Sequence, residues 1–259
     1  MFLSLHTLWA LIQRDLRIFL PTYKTRIINA VIFVIINLVI FEKIMPALGL
    51  AVGYAAFTAA SNIGSWGLFD IMENVATVVA DIEGERSISY YLTLPLSQTL
   101  VFLRLALSNA ISAFLVVILF IPISKLVLWN TLDMSAVSFP KLFLIVMLSS
   151  LFYGMFSLSL AAKTKKLHGI GNIWRRVIFP LWFIGCYQFP WNTLHKISPV
   201  MAYVDLLNPI VYCMEGTRAA FLGQEGSINF WYSVAALCVF CMIAGYFGIK
   251  NMKQRLDCL

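Results

Sequence analysis

Long apolar stretches dominate this chain, and its polar residues gather mostly in the gaps between them. Six apolar runs stand out, at approximately 27–45, 48–69, 99–122, 142–162, 177–190 and 230–249. They lack the period-two alternation of strands, so they predict helices. A bilayer core of about 30 Å takes about 20 helical residues at about 1.5 Å each, and a helix satisfies its own backbone where no water is present. Five of the runs reach that length, while the run at 177–190 is short and bounded by Pro180 and Pro190.

Ahead of the first run, Leu5, Leu8, Ile12, Leu16 and Phe19 recur at helical spacing, with Thr7, Arg14 and Arg17 on the opposite face. Residues 1–20 therefore predict an amphipathic helix on the membrane surface, ended by Pro21 before the span begins. The alternative is an ordinary extension of the first span.

Charge gives these helices an orientation. Arg14, Arg17, Lys24 and Arg26 precede the first span, and Lys250, Lys253 and Arg255 follow the last. Both termini are thus expected in the cytoplasm, which requires an even number of crossings. Counting the short run gives six and places Lys163, Lys165, Lys166, Arg175 and Arg176 inside as well. Of the 19 Lys and Arg, only Lys43, Lys125, Lys141, Lys196 and Arg218 then fall outside.

Residues 191–229 are half apolar but contain His195, Lys196, Asp205, Asn208-Pro209, Glu215 and Arg218. A lipid-facing crossing with those groups is costly. The segment predicts an outer, partly re-entrant excursion whose irregular backbone is shielded by protein or lines a cavity. Glu215 and Arg218, at i and i+3, suit a salt bridge in an outer gate.

Composition agrees with a membrane solvent: 61% of residues are hydrophobic and 12% charged, against about half and about a quarter in soluble domains. The net charge of +7 does not point to nucleic acid, because the basic residues punctuate apolar runs instead of forming one patch. Five cysteines, two of them in an apolar run, predict neither a disulfide framework nor a metal site. No removable signal peptide is expected. No soluble domain or repeat is visible, so residues 1–259 read as one all-α membrane domain.

The longest connection on the inner side, residues 70–98, carries Asp81-Ile82-Glu83-Gly84-Glu85-Arg86 and then Ser87 to Ser97. A charged cluster, a glycine break, a short amphipathic helix and a Leu-Pro-Leu-Ser stop predict a compact docking structure across the ends of two spans. A solvated loop with an interfacial helix has the same pattern. In this stretch Glu83, Gly84, Glu85, Arg86, Tyr91, Leu92, Leu94, Pro95 and Ser97 resemble the first cytoplasmic loop of ABC-2 type ABC transporter permeases. Leu94 stands where threonine is commoner. A second block is similar to that family's last outer region. It comprises Pro180-Leu181-Trp182-Phe183, Gln188-Phe189-Pro190, Leu206-Leu207-Asn208-Pro209-Ile210-Val211-Tyr212, Glu215-Gly216, Arg218-Ala219 and Phe221-Leu222-Gly223.

The resemblance implies an exporter subunit that pairs with a second copy or a paralogous permease and docks a separate cytoplasmic ATPase, in a plasma (bacterial inner) membrane. Glu83 to Arg86 with Tyr91, Leu92 and Pro95 would take up the ATPase motion, and the N-terminal helix would add a second contact. ATP and Mg²⁺ would bind the partner. The sequence has no G-x-x-x-x-G-K-[ST] phosphate loop of its own. Asn62 and Trp66 are candidates to line a pathway, with helix–helix hydrogen bonding as the alternative for the asparagine. Gly49 and Gly53 form a GxxxG pattern, read as helix packing. A membrane enzyme is disfavoured because His6, His168 and His195 lie on different sides. An ion-coupled carrier is disfavoured because acidic residues gather at span ends. Cargo is expected to be amphipathic: a lipid, a lipid-linked glycan or a drug.

Overall fold

Every regular element is helical in the computed structural model, which describes residues 2–49, 53–84, 86–93 and 96–257. The first helix, α1 (Phe2–Val39), runs unbroken through Pro21. This corrects the expected stop. Proline removes one backbone donor, and flanks as helix-favouring as Arg17–Leu20 and Lys24–Ile28 carry the helix past that loss. The helix ends in a π-helical turn at Ile40–Ile44 and a further turn at Met45–Ala47. Gly49 and Gly53 sit at a positive φ of 94° with nothing near their Cα hydrogens. They serve a turn that needs left-handed backbone and make no close helix contact, which corrects the GxxxG reading.

The second helix, α2 (Tyr54–Glu83), is 30 residues long, about 45 Å, so it overshoots a bilayer core. Residues 58–68 are buried without interruption, Ser61, Asn62 and Ser65 included. Protein surrounds this helix where lipid would otherwise lie, which is why it tolerates more polar residues than its neighbours. A left-handed Arg86 leads into the short α3 (Ser87–Leu92). Then come α4 (Gln98–Val117), α5 (Phe120–Val127) and α6 (Phe139–Lys163). The expected fifth span is broken up. A π-helical turn at Trp174–Ile178 leads into α7 (Phe179–Ile184), which stops at Gly185. After it, α8 (Trp191–Ile197) and α9 (Pro199–Asp205) form a hairpin. The chain then re-enters the core as α10 (Pro209–Phe221) and leaves along α11 (Phe230–Asp257).

Among the described residues, four segments are long and apolar enough to cross a membrane: Tyr23–Ala47, Gln98–Val127, Phe139–Lys163 and Phe230–Leu256. At the centre, α6 packs on α2, α4, α10 and α11. Gly154 sets its approach to α4, because a Cβ there would lie 2.2 Å from the Ala106 carbonyl oxygen. Its neighbour Tyr153 donates a 2.7 Å hydrogen bond to the Gly64 carbonyl of α2. Helix α10 is buried from Cys213 to Phe221.

Candidate functional site

Two polar constellations stand at opposite ends of α2. At its C-terminal end, Asp81 turns both carboxylate oxygens on the start of α3, accepting from Ser87 N at 3.0 Å and Ile88 N at 2.9 Å. These are orphan donors of a new helix, so Asp81 seats α3 on α2. The far side of α3 is anchored through Tyr91, a buried ring with Arg104 of α4 at 4.1 Å and Arg14 of α1 at 5.2 Å from its centroid. Asp15 closes the cluster, 3.0 Å from Arg104 Nε and accepting from Ser108 Oγ at 3.1 Å. About three turns further along α1, Arg26 pairs with Glu73 at 2.5 Å and donates to Ser112 Oγ at 3.4 Å. Thus α1, α2, α3 and α4 meet in one charged knot.

The residues picked out for docking divide accordingly. Glu83, Gly84 and Arg86 are exposed on the turn before α3, while Tyr91 and Leu92 face inward. Glu85 and Pro95 lie outside the described residues. Arg14 and Arg17 are both exposed, and Arg14 reaches the Tyr91 ring. Sequence reasoning missed Asp15 and Arg104, and it placed Asp81 in the docking cluster without its capping role. The signal for Arg104 was present, since it is a lone cation inside an otherwise apolar run.

At the other end, Arg218 and Glu215 of α10 are 1% and 0% exposed and pair at 2.6 Å. Burying such a pair requires that its remaining donors and acceptors be satisfied. Arg218 also donates to Ser61 Oγ of α2 at 3.0 Å and to the carbonyls of Cys186 and Tyr187. Its guanidinium lies 4.0 Å from the centroid of Phe57. Glu215 accepts from Trp191 N at the start of α8 and from Ile228 N before α11, each at 3.0 Å. The i,i+3 spacing announced the pair, but its partners come from four other parts of the chain.

Asn62 and Trp66 sit beside this lock. Asn62 accepts from Tyr187 Oη at 2.7 Å and donates to Asn37 Oδ1 at 3.2 Å. Trp66 is wedged among Phe33, Phe69 and Phe120. In the single chain both are packed against protein. Asn208 caps α10 by accepting from Ile210 N at 3.0 Å, and its amide donates to Leu181 O at 2.8 Å. Pro209 occupies the first turn of α10, where its missing donor costs nothing.

The family model described as ABC-2 type transporter matches residues 6–222. The chain belongs to the ABC-2 type transporter family. That match runs from within α1 to the end of α10 and takes in both constellations apart from Ile228. No curated protein matches the chain. Membership makes this ABC-2 chain a multi-pass membrane permease subunit of an ABC transporter, whose ATP hydrolysis belongs to a partner ABC ATPase subunit.

Proposed function

We propose that this ABC-2 permease exports an amphipathic substrate, such as a lipid, a lipid-linked glycan or polysaccharide, or a drug. It works by alternating access coupled to a separate cytoplasmic ATPase that holds ATP and Mg²⁺. It pairs with a second copy of itself or a paralogous permease in a plasma (bacterial inner) membrane. Six crossings, counting α2 and the short α7 segment, leave both termini in the cytoplasm.

The observation that carries this reading is the seating of α3. Glu83 and Arg86, exposed on the turn before α3, offer charge to a partner, while the opposite side of α3 is tied through Asp81 and Tyr91 to α1, α2 and α4. A push on the turn is therefore passed to three long helices. At the far end of α2, the Glu215–Arg218 lock joins α2 to the outer hairpin, which makes it an outer gate. A rigid element biased at both ends is the kind of device that converts a local push into a change of access.

Reconstitution with the cognate ATPase tests the coupling. Replacing Glu85 and Arg86 together by alanine is expected to leave membrane insertion and complex assembly intact, and to lower substrate transport per ATP hydrolysed at least about tenfold. Undiminished transport by the double variant rejects the assignment of this turn as the coupling element.

A further inference from the structure

The last turns of α11 lie outside both constellations and beyond residue 222, where the family match ends. They are nevertheless tied to the region around α3. Ile249, Met252 and Leu256, at helical spacing on one face, pack into the core, and Met252 is fully buried. Two cations reach out from this anchored end. Lys253 Nζ donates to Thr99 Oγ1 at 3.0 Å, in the first turn of α4. Arg255 Nη1 donates to the Ala161 carbonyl at 2.5 Å, in the last turn of α6, and its Nη2 donates to the Lys165 carbonyl at 3.4 Å just beyond.

The last carbonyls of a helix lack intrahelical donors and carry partial negative charge, so a cation from another helix suits the end of α6. Lys163, Lys165 and Lys166 already crowd that end with positive charge, and residues 139–204 contain no Asp or Glu to offset it. The acid comes from elsewhere in the chain. Glu83 lies near enough to Arg255 for its carboxylate to stabilise the guanidinium charge. Glu83 closes α2 at the turn that enters α3, and Thr99 opens α4 just past the segment that leaves α3. The end of α11 therefore holds the α3 segment from both sides, at Glu83 by charge and at Thr99 by a hydrogen bond, while Arg255 fixes the same helix to α6.

We propose that the end of α11 is a second brace for α3, with Lys253 and Arg255 as positioning residues for coupling. The Asp81–Tyr91 seat joins α3 to α1, α2 and α4, and the α11 brace joins it to α6 and α11. A push on the turn before α3 then reaches α6, on which α2, α4, α10 and α11 all pack, without passing along α2. The coupling role rests on the function proposed above. The brace itself is a property of the permease alone.

Amide hydrogen exchange on the full permease in detergent, without ATPase, tests the brace. Lys253→Ala removes an exposed hydrogen bond, and Arg255→Gln keeps an amide donor for α6 but loses the charge that faces Glu83. Each should speed exchange several-fold in residues 82–100, and Arg255→Lys, which restores the charge, should return it toward wild type. Unchanged exchange in both Lys253→Ala and Arg255→Gln overturns the brace. In the complex with the cognate ATPase, ATP with vanadate should alter exchange at the end of α6, residues 156–166, in the wild type. The Lys253→Ala/Arg255→Gln double variant should lose at least about fivefold of that nucleotide-driven change while keeping its melting temperature and rate of ATP hydrolysis. An undiminished change overturns the positioning role, as does a smaller change accompanied by equal losses of hydrolysis and melting temperature, which marks a merely structural tie. If the Glu85→Ala/Arg86→Ala variant keeps full transport, the turn before α3 fails as the coupling element, and the exchange of the permease alone then decides the brace.

Discussion

Arg218 shows how much one side chain organises here. Its charge is balanced by Glu215, and its Nη2 reaches Ser61 of α2 and the carbonyls at Cys186 and Tyr187. Removing one member of a buried pair strands the other charge, at a cost of about 3–5 kcal/mol. Arg218→Met is therefore expected to lower thermal stability in detergent strongly. Adding Glu215→Gln should restore part of it, because the amide discards the stranded charge and still accepts from one of the Trp191 and Ile228 N–H groups, which meet different oxygens of Glu215. Purely additive losses in the double variant, read by tryptophan fluorescence melting, reject an energetically coupled pair. The spacing of Glu215 and Arg218 was legible in the sequence. Ser61 was not, as it lies 157 positions away and no local pattern announces a contact of that range.

Among the elements, α6 is placed by glycine as much as by apolar area. A methyl at Gly154 meets the Ala106 carbonyl at 2.2 Å, and backbone has nowhere to retreat. Gly154→Ala should force α4 and α6 apart and cost about 1–3 kcal/mol. Gly171, with nothing within 4 Å, should accept alanine with no loss, as the same melting measurement checks. The seat of α3 gives a second expectation. Asp81→Ala leaves the Ser87 and Ile88 N–H groups without their acceptor, a loss of about 1 kcal/mol. Faster amide hydrogen exchange confined to residues 87–92 is the expected signature, and unchanged exchange there counts against Asp81 as the cap. The existence of α3 was legible from its glycine break and its Tyr-Tyr-Leu stretch. Its anchoring was not, since Asp15, Arg104 and Tyr91 converge only once α1 and α4 are packed. The continuity of α1 through Pro21 also escaped the sequence, because a proline marks a lost hydrogen bond and does not by itself say whether neighbouring turns hold.

For the whole molecule, the decisive question is the segment before the α8–α9 hairpin. From Ile170 to Ile184 the helical path rises about 22 Å, short of the bilayer core of about 30 Å. It crosses only if protein closes the remaining depth. The carbonyls of Cys186 and Tyr187 end in the buried Arg218 network rather than in lipid, and Cys186 takes a left-handed φ of 60° to reach it. An irregular turn so shielded is tolerated at membrane depth. The segment should therefore cross, placing Lys166 and Lys196 on opposite faces. In a cysteine-free background, Lys196→Cys on intact cells should react with a membrane-impermeant maleimide. Lys166→Cys and Gln254→Cys should react only after permeabilisation. Labelling of Lys166→Cys and Lys196→Cys on the same face would remove the sixth crossing, and with it the argument that basic residues hold both ends of the chain in the cytoplasm.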